Sequence, residues 1–306
     1  MHRTTWIAAL AACAAAIGPA GCESPAPPAG KTPRVAVVVS IPPQACFVRR
    51  IGGEHVEVQV LVGPGQQPHT FEPTLKQMAR MGAARLYFRV GVPFEETLAR
   101  KLSSTHRHLE IVDTRKGIEL RPMPAGHDHE GESPGHRHAD APPDPHTWMS
   151  PRLAKLQSQT ICAALCRADP AHEAAYRAGL AALSADLDAL DAKIAQATAP
   201  LRGRTFYVFH PAFGYFAAAY GLRQKAVETG GKAPGAKHVK TLIDQARAEG
   251  VRVLFVQPQF STRTARTIAA EIGGAVVPID PLAEDYLRNL EHIADEIRQA
   301  VGDPKR

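Results

Sequence analysis

Residues 171–199, AHEAAYRAGLAALSADLDALDAKIAQATA, contain no proline and one glycine, and Leu180, Leu183, Leu187, Leu190 and Ile194 recur at alternating spacings of three and four. That period lines five apolar side chains along one stripe of a single helix. At 1.5 Å per residue the helix is about 40 Å long. Pro170 precedes it and Pro200 stops it. Only about two heptads are clean, which is short for a coiled-coil arm. A spine joining two lobes fits the pattern better.

Both sides of the spine carry the same alternation. Ahead of it, apolar runs rich in β-branched residues at 34–40, 56–63, 85–91 and 108–114 read as strands, with helices at 43–53, 73–83 and 93–102 between them and another at 151–166. In the 73–83 helix Leu75, Met78 and Ala79 are expected on one face. Behind the spine, strands at 204–210, 251–257 and 275–281, with a strand and turn at 225–231, alternate with helices at 212–221, 238–250, 261–274 and 287–301. Short strands alternating with helices predict parallel sheets, so the fold class is α/β: two βα lobes joined by one long linking helix. At 306 residues and 44% hydrophobic, the chain is long enough for two cores.

The N-terminus reads as an export signal. His2 and Arg3 supply a short positive region, Trp6–Ile17 an apolar one too short to span a bilayer, and Ala20-Gly21-Cys22 a small-residue cleavage site. Cys22 is expected to become a lipidated N-terminus, with ordinary secretory cleavage as the alternative. The expected organisation is a signal peptide at 1–21, a flexible Pro/Ala-rich tether at 22–33, an N-terminal lobe at 34–168, the linking helix at 169–199 and a C-terminal lobe at 200–306. An exported chain could pair two of Cys46, Cys162 and Cys166, but the odd count leaves a thiol over and no role is assigned. A net charge of +6 with Lys and Arg scattered gives no support to nucleic-acid binding.

The candidate chemistry is histidine. PPDPHTWMSP holds His146 on a proline-stiffened loop, and the loop of 126–146 also carries His127, His129, His136 and His138. His69 lies just past the carboxyl end of a strand in a loop of Gly, Gln and Pro; His210 is expected as the last residue of a strand before Pro211; Asp280 likewise ends a strand before Pro281. Ligand sites of open α/β sheets form outside the carboxyl ends of strands. Four metal-competent side chains, His69 and His146 from one lobe and His210 and Asp280 from the other, would therefore face one another across a cleft.

The stretches PHTFEP, DPHTWMSP, FHPAFGYFA and PIDPLAEDY, in this order and spacing, resemble the signature motifs of the zinc- and manganese-binding substrate-binding proteins of bacterial ABC transporters. The resemblance runs from about residue 34 to the C-terminus and takes in the His-rich insertion and the linking helix. It implies metal ligands at His69, His146, His210 and Asp280, an auxiliary metal-binding loop at His127, His129, His136 and His138, delivery to a membrane permease, and a monomer that is not an enzyme. Manganese members commonly carry Glu at the third position, where this chain has His210. Three imidazoles and one carboxylate suit Zn²⁺ better than Mn²⁺. Residues 231–239 and Gln257 depart from the usual motif, which bears on the groups behind the ligands.

The expected function is extracytoplasmic capture of Zn²⁺ for uptake through an ABC permease. A Mn²⁺-binding member of the same family is one alternative. Another is a zinc hydrolase with an open three-histidine site, although no H-E-x-x-H and no nucleophile elbow is present. A third is a surface adhesin or structural lipoprotein. Ordinary histidines would make zinc affinity fall below about pH 6–6.5.

Overall fold

The structure, a computed structural model, describes residues 1–2, 34–123, 142–228 and 235–302. All but the first two residues of the signal peptide, the whole tether with Cys22, and His127, His129, His136 and His138 lie outside the described residues.

The described residues between 34 and 302 build two four-stranded sheets, both wholly parallel. In the first lobe β1 (Val35–Val39), α1 (Pro42–Gly52), β2 (Val56–Val60), α2 (Leu75–Ala83), β3 (Leu86–Arg89), α3 (Phe94–Thr105), β4 (Glu110–Asp113) and α4 (Pro151–Ala168) follow in chain order. The sheet order is β2-β1-β3-β4. In the second lobe β5 (Thr205–Val208), α6 (Gly214–Tyr220), β6 (Arg223–Ala226), α7 (Ala236–Ala248), β7 (Val253–Val256), α8 (Thr262–Glu271), β8 (Ala275–Pro278) and α9 (Tyr286–Gly302) repeat the plan, with order β6-β5-β7-β8. Between the lobes runs α5 (Glu173–Thr198), with a 3-10 turn at each end.

The stripe on α5 packs as its spacing requires. Leu183, Leu187, Leu190 and Ile194 are buried, against α1 and α4 of the first lobe and α9 of the second. Gly179 lets the helix approach α1 closely, because a Cβ there would stand 2.5 Å from the Ile51 carbonyl oxygen. One continuous apolar cluster thus runs from the first sheet through α1, α4, α5 and α9 to Phe206, Val208 and Phe255 on the inner face of the second sheet. Alternate residues of that sheet, Tyr207, Leu254 and Val256, turn outward to a smaller cluster under α7 and α8. The two lobes therefore share a core along the spine and part only on the side of the strand carboxyl ends.

Helix α2 departs from the expected face. Leu75 is 90% exposed and Met81 is the buried residue. Gln77 explains the rotation: its backbone caps on Thr74, and its Nε2 donates inward to the Leu61 carbonyl at 2.7 Å. Leu75, two residues earlier and about 200° round the helix, must then face solvent. The strands also end earlier than expected. β5 stops at Val208 and β8 at Pro278, so His210 and Asp280 each stand two residues beyond a strand. At His210 the backbone N–H leaves the ladder for the Gln257 side chain, at 3.0 Å.

Candidate metal centre

Three of the four expected ligands converge. His69 sits on a 3-10 turn (Pro68–Thr70) after β2, His146 precedes the turn Thr147–Met149 ahead of α4, and His210 follows β5. One ring nitrogen of each lies within 4.8 Å of the others, and among the described residues this is the group of His, Cys, Asp and Glu side chains placed to hold a metal ion.

His146 and His210 are held from behind by carboxylates. His146 Nδ1 donates to Asp144 Oδ1 at 2.7 Å, and the same oxygen accepts the His146 backbone N–H at 3.0 Å. Gly214 opposite has no side chain to crowd Asp144, whose Oδ2 would be 2.9 Å from a Cβ there. His210 Nδ1 donates to Glu228 Oε2 at 2.6 Å, and Gln257 both accepts from the His210 N–H and donates to its carbonyl. A carboxylate only accepts, so each Nδ1 keeps its hydrogen and each Nε2 presents a lone pair. Those two lone-pair nitrogens stand 3.3 Å apart. Two nitrogens bound about 2.0–2.1 Å from a tetrahedral zinc are separated by about the same distance. His69 adds a third: its Nε2 is buried and has no hydrogen-bond partner. Without a cation, lone pairs facing in a dry site repel. With one, all three are satisfied.

Burial lowers the His69 pKa to about 2, assisted by the neighbouring His210 and His146, and it lowers that of His210 as well. These rings are therefore neutral, the form that binds metal.

The space beside the three rings is about 20 Å³, room for one water or ion, and is walled by Val92, Trp148, Phe260, Pro281 and Leu282. Phe260 stacks on His210 with ring centroids 4.9 Å apart. The rim is tied across the lobes: Trp148 Nε1 donates to the Pro281 carbonyl at 2.8 Å, and Tyr286 Oη donates to the Trp148 carbonyl at 2.6 Å.

Asp280 stands outside the group. Its Oδ1 accepts from Gln259 Nε2 at 2.8 Å and from the Leu282 N–H at 2.9 Å, bracing the rim at Pro281 and Leu282. Two functional residues escaped the sequence reading. Asp144 left a local signal, since Asp-Pro-His puts a carboxylate two residues before a ring. Glu228 left none, because its partner His210 is 18 residues away on the neighbouring strand's loop. Cys46, Cys162 and Cys166 are free thiols, with Cys162 and Cys166 sulfurs 3.9 Å apart.

Comparison with known proteins agrees with this architecture. Residues 37–300 match the family described as zinc-uptake complex component A, periplasmic (ZnuA). A crystal structure of ZnuA superposes with a TM-score of 0.80 at 39% identity, covering 88% of this chain and 99% of that one. A ZnuA deletion mutant with zinc bound gives 0.79 at 38%, covering 88% and 98%. A putative metal-binding protein of Treponema pallidum (strain Nichols) is 29% identical over 283 residues, 89% of this chain and 88% of its own length. The zinc-binding protein AdcA of Streptococcus pyogenes serotype M3 is 28% identical over 264 residues, 81% of this chain but 50% of AdcA. The family match begins within β1 and ends within α9, so it takes in both lobes and all three convergent histidines: the chain belongs to the ZnuA family of periplasmic zinc-uptake components.

Proposed function

We propose that the protein captures Zn²⁺ outside the cytoplasmic membrane and hands it to the permease of an ABC transporter, with His69, His146 and His210 as ligands. The observation that carries this is the 3.3 Å approach of two lone-pair nitrogens beside the unpartnered Nε2 of His69. Three neutral imidazoles favour zinc over manganese, which prefers oxygen donors. Asp280 completes a four-ligand shell if it offers its other oxygen or releases Gln259 and Leu282; otherwise water fills the fourth position. We read the chain as a carrier and not a hydrolase. Among the described residues, those lining the cavity include no carboxylate to serve as general base, and about 20 Å³ leaves no room for a substrate beside the metal.

The finer reading is a monomer lipid-anchored at Cys22, with His127, His129, His136 and His138 gathering zinc at lower affinity for the cleft. Among the described residues no helix is long and apolar enough to cross a membrane. The deciding experiment measures metal content and competitive zinc affinity of the mature protein, wild type beside His210→Ala. One tight zinc in the wild type that is lost in the variant is the expected result. Tight binding untouched by His210→Ala would move the metal to the 127–146 stretch and leave only the fold in common with the family.

A further inference from the structure

Two of the three imidazoles are oriented by carboxylates, Asp144 behind His146 and Glu228 behind His210. Among the described residues His69 has no such partner. The neighbouring turn between β3 and α3 packs beside it. Phe71, two residues past His69, packs edge-on against Phe94 with ring centroids 4.9 Å apart. Val92 of the same turn lines the cavity beside His69.

That turn is built around one buried carboxylate. Glu95 Oε1 accepts from the Val90 N–H at 2.9 Å, Oε2 accepts from the Gly91 N–H, and the Glu95 N–H donates to the Val92 carbonyl at 3.1 Å. Gly91 takes φ +92°, where the Arg115 guanidinium occupies the space of a side chain. A charged carboxylate fully removed from water persists only when its partners offset the desolvation.

We propose that Glu95 is a positioning residue for zinc retention: its carboxylate clamps the Val90–Val92 turn, which with Phe94 holds His69 on the metal. An ionised Glu95 accepts both N–H bonds, and a protonated one gives up part of that capacity, loosening the wall behind His69. The groups that face it are Tyr87 and Arg89 on β3, Ser40 beyond β1 and Arg115 beyond β4. Burial raises its pKa to about 7, within the range an envelope protein meets. Mild acid thus becomes a release signal acting through packing and not through the ligands.

The proposal rests on His69 being a ligand, so the test separates the two. Zinc transfer from the full mature protein to a chromophoric zinc chelator is followed by stopped flow at pH 6 to 8 in wild type, Glu95→Gln, Phe94→Leu and His69→Ala. Losing charge-assisted hydrogen bonds should speed release by about ten-fold in Glu95→Gln at pH 8. The acceleration that the wild type shows toward pH 6 should disappear in that variant, whereas Phe94→Leu should release faster and keep it. A purely structural role would not remove the pH dependence. A folded Glu95→Gln that releases zinc at the wild-type rate across this range overturns the proposal. Should that variant fail to fold, Phe94→Leu at the wild-type rate overturns it. Tight zinc retained by His69→Ala would instead sink the three-histidine site itself.

Discussion

His210 Nδ1 and Glu228 Oε2 meet at 2.6 Å, two buried side chains delivered by the loops after neighbouring strands β5 and β6. The pair sets which nitrogen of His210 faces the metal and raises its basicity. Groups in this position typically contribute 10- to 100-fold in metal affinity. We expect Glu228→Gln to lose about that much zinc affinity in chelator competition while remaining folded by circular dichroism. An unchanged affinity would mean that ring packing on Phe260 suffices to orient His210.

Asp280 and the histidines should separate in affinity. Replacing any one of His69, His146 or His210 by Ala removes one of the three convergent ring nitrogens. Replacing Asp280 by Ala removes a carboxylate already bonded to Gln259 and Leu282. The expected loss is about ten-fold or less for Asp280→Ala and far larger for each histidine, read by the same competition assay. A loss for Asp280→Ala matching the histidines would establish it as the fourth ligand.

Burial alters the expected pH response. Ordinary histidines would hold zinc poorly below about pH 6, but His69 titrates near 2 and His210 is shifted down as well. At pH 5.5 the His69 ring then has no proton to release when zinc binds, so fewer than three protons per zinc are expected. Calorimetry in two buffers of different ionisation enthalpy counts those protons. Three would show that the zinc-free site opens and lets His69 charge.

The same shifts predict the stability of the zinc-free protein. His69 binds a proton more weakly folded than unfolded, so its contribution is present above pH 6.5 and is lost as pH falls toward 2. Glu95 binds one more tightly when folded, so its contribution is full below 4.5 and is lost as pH rises through 7. Each costs up to about 1.4 kcal/mol per pH unit within its window. Thermal melts should therefore show zinc-free Glu95→Gln losing less stability than wild type between pH 5 and 8, relative to their own values at pH 5. Parallel curves would mean that Glu95 does not titrate in this range.

The cross-lobe bonds from Trp148 to Pro281 and from Tyr286 to Trp148, with the core shared along α5, leave little freedom for opening. Scattering profiles with and without zinc should nearly coincide. A large compaction on binding would show that these ties break in the zinc-free state.

The spine and the alternation were legible because both are local periodicities: Leu183 to Ile194 mark one face of α5, and runs such as Val35–Val39 mark buried strands. His69, His146 and His210 stood out because proline and strand-end position are also local signals. Helix α2 was misjudged at Leu75 because its rotation is set by Gln77 reaching Leu61, a contact between elements. By itself the sequence determined the elements, their order and the donor types. Only the tertiary structure decided that Nε2 of His146 and of His210 stand 3.3 Å apart, that Glu228 lies behind one of them, and that Asp280 turns to Gln259. Those distances arise where loops from different strands meet across two lobes, and no spacing along the chain encodes how far apart such loops end.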